Sequence, residues 1–166
     1  MSAKDSSIVN TDPVTGQTLE MTVSEIQAPT HEGAKELFAY WESRGRDFVM
    51  GRDVPSRAIS RLTKNLNVLE PIGAGEDFRF RLVGSELNHR IGREISGMRV
   101  SEVYPEIVVK GFLGSLNKVV SDGTPVFQHV RVIGALGEVR RPEVVMVPIK
   151  SPDQTATWVL HGVFYW

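Results

Sequence analysis

Histidine is the side chain that changes charge near neutral pH, and the sequence holds four: His31, His89, His129 and His161. His129 and His161 fall in segments that read as strands, while His89 lies in a short helical run. His129 shares a strand face with Phe127, Arg131 and Ile133, so it can join Arg131 as an anion contact if that face lines a site. The plainer reading is a strand histidine that meets solvent or makes one hydrogen bond in the core. Other fragments stop short of a reaction. His31-Glu32 lacks the second histidine of a zinc-protease helix, because Lys35 stands at that position. Gly73-Ala74-Gly75 would need a third glycine at Phe78 to hold a dinucleotide, and it precedes a strand. There is no Walker lysine motif and no G-x-S-x-G elbow, and the carboxylates are scattered. These absences argue against an enzyme.

The bulk properties narrow the class further. The chain of 166 residues is 41% hydrophobic and 23% charged, which suits a single globular domain. A formal charge of -1 supplies no general attraction to nucleic acid or anionic membrane. No apolar run is long enough to span a bilayer, and the polar start MSAKDSSIVNTDPVTGQ lacks a secretory core. With no cysteine, disulfides, thiolate zinc sites, cysteine nucleophiles and sulfur-linked flavin or chromophore are excluded. A cytoplasmic location is the expectation.

The elements that position these residues follow from periodicity. Residues 1–30 are expected to be a flexible or partly ordered N-terminal segment, with 1–17 a mobile tail. Within it, Thr18–Ile26 fits either a short helix or an added strand. Ala34, Leu37, Phe38 and Trp41 form the stripe of a helix from about His31 to Ser43, ended by Gly45. A short helix at Ser56–Lys64 precedes a hairpin of Leu66–Ile72 and Phe78–Val83, with Phe78, Phe80 and Leu82 on one side. Glu106–Asp122 is the longest helical pattern, closed by Gly123. Three strand-like segments finish the chain at about 125–133, 138–149 and 156–165. Short connections favour antiparallel neighbours. The order predicts an α+β fold of about five antiparallel strands, with helices gathered on one face, over residues 31–166.

This order resembles a PAS domain. Gly84 and Gly92 match the small residues at the strand-to-helix turn of PAS domains, and Gly97 follows. More narrowly, the chain is similar to small, single-PAS-domain bacterial proteins. The shared elements are Tyr40-Trp41, Arg44-Gly45-Arg46, Pro55-Ser56-Arg57, Phe78 to Gly84 and Gly92 to Gly97. One departure is the run Ala58-Ile59-Ser60 after Arg57, where the family pattern has an acidic residue. The resemblance implies a cavity between the long helix and the inner strand faces. Its candidate lining is Phe80, Phe112, Leu116, His129, Arg131, Met146, Leu160 and His161, with Gly84, Gly92 and Gly97 as structural turns. Haem-binding PAS domains ligate iron from the long helix, which has no histidine here, so haem is not expected. PAS domains often dimerise through flanking helices, making the helix bearing Trp41 a candidate for a homodimer; the alternative is that it packs on its own sheet. The implied function is a cytoplasmic sensory module that binds a small molecule and signals in trans to a protein partner. A ligand-free adaptor and, less favoured, a small enzyme on a cone-like fold are the alternatives.

Overall fold

A computed structural model describes residues 5–11, 18–134 and 137–166. Its strands are β1 (Asp5–Thr11), β2 (Thr18–Ile26), β3 (Leu66–Ile72), β4 (Asp77–Leu82), β5 (Val126–Ile133), β6 (Val139–Arg140), β7 (Pro142–Lys150) and β8 (Thr157–Tyr165). Helices are α1 (Glu32–Ser43), α2 (Ser85–Ile91), α3 (Val100–Val103) and α4 (Glu106–Asp122), and Arg57–Asn65 is a kinked 3₁₀ segment. The strands form one antiparallel sheet in the order β1-β2-β5-β7-β8-β3-β4, with β6 beside β5. This is the PAS-like α+β fold that the element order implied, enlarged by an N-terminal hairpin. Thr18–Ile26 is the added strand. Residues 5–11, read above as tail, pair with it from Asp5↔Ser24 to Thr11↔Thr18.

Both faces of the sheet are covered. In β7, Val145, Val147 and Ile149 pack with Leu160 and Phe164 of β8 beneath Ala34 and Leu37 of α1. The alternate residues Val144, Met146, Val159 and Val163 pack with Leu116 and Val119 of α4. The helices are therefore not all on one face: α1 takes the reverse side. β7 and β8 carry apolar residues at successive positions because each side has its own layer to meet. The stripe of α1 that suggested self-association is buried on its own sheet, and Trp41 Nε1 donates to Pro148 O at 2.8 Å.

Two predicted orientations change. Val68 pairs with Leu82 but Leu69 pairs with Phe80, so Arg81 is an extra residue in β4. This bulge turns Leu82 to the α1 face, while Phe78 and Phe80 stay beneath α3 and α4. Leu160 also lies on the α1 face, because alternation sets it opposite to its neighbours Val159 and His161.

Two buried carboxylates fix the α1 face. Glu143, fully buried on β7, accepts from the backbone of Thr30 and His31 at 3.0 and 2.9 Å, and from the Thr30 hydroxyl. It thereby holds the entrance to α1, where His31 is the N-cap and its Nδ1 accepts from Gly33 N. Asp53 lies in the loop after α1. It accepts from Val49 N at 2.8 Å and from Arg44 Nε at 2.9 Å, with Arg52 also in reach. Burial pushes its pKa up, but the Val49 amide and the two guanidinium groups outweigh burial and hold it below the usual carboxylate range. Tyr40 donates to Asp53 O. Tyr40 and Arg44 of the shared pattern thus fasten this loop, while Trp41 fastens α1 to β7. Replacing Asp53 by alanine strands the Val49 amide and should cost about 2–3 kcal/mol in urea unfolding. A loss within error of zero would show that the loop holds without it.

Candidate functional site

The α4 face is not filled. Between α4 and the sheet lies a cavity of about 330 Å³. Its floor is Val144 and Met146 of β7 with His161 and Val163 of β8, and α4 supplies Val108, Gly111, Phe112 and Ser115. Gln128 and Val130 of β5, then Met21, Val23 and Glu25 of β2, form the far wall, and Leu87 of α2 and Tyr104 reach it from the other end. Glu25 and Gly111 are exposed and mark the side on which it opens. There Lys118 of α4 pairs with Glu25 of β2 at 3.1 Å.

The residues nominated from sequence separate into three places. Phe112, Met146 and His161 line the cavity. Phe80 and Leu116 are fully buried in the packed core of the same face, and Leu160 is in the core on the opposite face. His129 and Arg131 also point away from the cavity. Phe127 is packed against the α1 layer, so alternation carries positions 129 and 131 to that side and leaves 128 and 130 for the cavity. His129 Nε2 lies 2.7 Å from Glu143 Oε1 and 3.0 Å from Thr30 Oγ1. With Arg131 it borders a separate hollow beside Arg141 and Trp166.

His161 is the polar centre of the cavity floor. Its ring stands 5.2 Å from that of Phe112, centroid to centroid. Asn67 of β3, paired with it across the strands and equally buried, donates from Nδ2 to His161 Nδ1 at 3.2 Å and to His161 O at 3.3 Å. The same amide accepts from Gly84 N at 3.0 Å through Oδ1. Because Gly84 N can only donate, the amide orientation is fixed, and Nδ1 of His161 must be the acceptor. The ring proton therefore resides on Nε2, which makes no hydrogen bond to the described residues and is not sealed off within the core. Burial lowers the imidazole to about 4, so His161 is neutral near pH 7. Nor is the ring set up as a metal ligand. A ligating imidazole donates through its other nitrogen, whereas here that nitrogen accepts. No group of three His, Asp or Glu side chains is placed to hold a metal among the described residues.

Gly84 itself is required by space. A Cβ there would stand 2.3 Å from Lys64 O and 2.9 Å from Leu66 O, so only glycine brings its amide to Asn67. Gly92 ends α2 with positive φ, and Gly97 shares that backbone region. Asn67, Gln128, Tyr104 and the β2 residues were not among the sequence candidates. Asn67 had one usable signal, an asparagine inside a strand-like run, where it is disfavoured without a partner.

A sheet of this order, with short helices and one long helix over a cavity on one face, defines a PAS-type module. The chain belongs to the PAS domain family, whose model matches residues 29–164. The comparison with curated proteins returned no match. PAS domains are typically sensory or interaction modules rather than catalysts. Among the described residues no helix is long and apolar enough to cross a membrane.

The folded imidazole titrates about 4, below the ordinary 6.5, so as pH falls the unfolded chain takes the proton first. The stability due to neutral His161 is complete above about pH 6.5 and declines until about pH 4, by on the order of 3 kcal/mol. Urea unfolding across this window should show a shallower decline in His161→Phe than in the wild type. Parallel profiles would mean that His161 is not held neutral by burial.

Proposed function

We propose that this PAS domain is a sensory module whose cavity takes a small molecule and whose signal passes in trans to a protein partner, a second copy of the chain included. The cavity of about 330 Å³ carries this reading, since it falls in the range of small-ligand sites and is mostly apolar with few polar groups. A ligand-free adaptor would work with a filled interior, and the cavity weighs against it. The absence of cysteine fits a reducing compartment such as the cytoplasm.

The N-terminal hairpin supplies a route outward. Met21 and Val23 touch the cavity, although β2 lies outside the residues matched to the family. β2 pairs with β5 on one side and with β1 on the other, and β1 is the edge of the sheet. A ligand pressing on Met21 and Val23 thus bears on a strand whose outer neighbour has an unpaired edge suited to a partner strand.

Gly111 gives the test. A Cβ placed there meets no atom within 4 Å, so Gly111→Phe starts from open space at the cavity mouth, where its ring should obstruct entry. In a thermal-shift screen of small metabolites, a ligand at a hundred times its Kd should raise the wild-type Tm by roughly 5–10 °C. Gly111→Phe should lose most of that response. A hit that shifts both proteins equally binds elsewhere and removes the support for this cavity as the sensor.

A further inference from the structure

The cavity's polar groups say what kind of molecule it fits, an inference that rests on the sensory reading above. We propose that it selects neutral, largely apolar molecules carrying a hydrogen-bond acceptor, such as an aryl or alkyl ketone whose carbonyl oxygen accepts from His161 Nε2–H. The first support is the fixed donor. Asn67 cannot rotate its amide without losing Gly84 N, so it keeps Nδ1 of His161 as acceptor and Nε2 as donor. A hydrocarbon in the cavity would strip water from Nε2–H and return nothing, whereas a carbonyl oxygen replaces the water. A site built around a polar contact rejects the analogue that lacks it.

The second support is the charge of the walls. The lining contains no lysine or arginine, and its one carboxylate, Glu25, sits at the exposed mouth and is already paired with Lys118. The phenols of Tyr104 and Tyr165 are both displaced upward, chiefly by burial, and stay neutral. A carboxylate ligand entering this space would give up its hydration with no cation to meet it, which disfavours the ionised form strongly. An ammonium would meet only the engaged Glu25. Gln128 donates one of its two amide N–H groups to Ser115 Oγ at 2.9 Å, which ties the amide to the wall. The donor held in a fixed direction on the cavity floor is His161 Nε2–H, whereas the hydroxyls of Tyr104 and Tyr165 can turn to donate or accept.

Three probes of nearly one shape separate these effects: 2-acetonaphthone, 2-isopropylnaphthalene and 2-naphthoate. Calorimetric titration into the full chain should rank the ketone tightest, about fivefold or more over the hydrocarbon, with the carboxylate weakest. In His161→Phe the ketone should fall to the hydrocarbon's affinity. If that variant does not fold, the wild-type ranking still decides, together with the ¹⁵N shift of His161 Nε2 on adding the ketone. Equal affinity for ketone and hydrocarbon, or naphthoate binding as well as the ketone, overturns the proposed selectivity and leaves the sensory reading standing. If none of the three binds, the cavity reading falls with it.

Discussion

Asn67 is a buried side-chain amide with three hydrogen bonds, one to the turn at Gly84 and two to His161. Its Oδ1 holds the amide of Gly84, where β4 gives way to α2. Its Nδ2 holds both the imidazole and the carbonyl of His161 on β8. Losing any one leaves a buried polar group unpaired, at a cost comparable with a large share of a domain's net stability. The turn, the sheet and the cavity floor are therefore fixed together. That is why a glycine with no room for a Cβ and a histidine over seventy residues away belong to one functional unit.

The sheet separates two tasks. On the α1 face a buried apolar layer joins α1 to β7 and β8, and the polar groups Glu143 and Asp53 are consumed in holding the entrance to α1 and the loop after it. On the α4 face Leu69, Phe80 and Val159 pack in one core with Leu116 and Val119 of α4, and the cavity lies over Val144, Met146, His161 and Val163 and extends toward β5 and β2. There α4 meets the strands through side chains, Ser115 with Gln128 and Lys118 with Glu25, and Met21 and Val23 of the N-terminal hairpin complete the wall. Stability and ligand capacity thus draw on different sides of the same strands, which allows a cavity without loss of the fold.

Much of this was legible beforehand, for physical reasons that also explain the failures. The α4 stripe and its glycine stop are strong local signals, and the helix spans Glu106–Asp122 as its periodicity predicts. The two glycines flanking α2 likewise reported a real constraint. Orientation was harder where β8 reads WVLHGVFY, because a strand covered on both faces carries no polar alternation to say which side is which. Leu160 therefore lies on the α1 side although the sequence suggests the cavity side. Leu82 was misplaced by the bulge at Arg81, which a period of two cannot anticipate. Asn67 was passed over because its role exists only once β3 lies beside β8 and Gly84 arrives from another turn.

The central claim is the state of one ring: a neutral His161 with its proton on Nε2, held so by Asn67. Two-bond ¹H–¹⁵N correlation spectra of ¹⁵N-labelled protein, collected from pH 8 to 5, read that state directly. The account predicts an unprotonated Nδ1 and a protonated Nε2 throughout this range, with no titration. A proton on Nδ1, or an imidazolium appearing near pH 6, would contradict it, because Asn67 would then not be donating to this ring and the cavity would present a different chemistry.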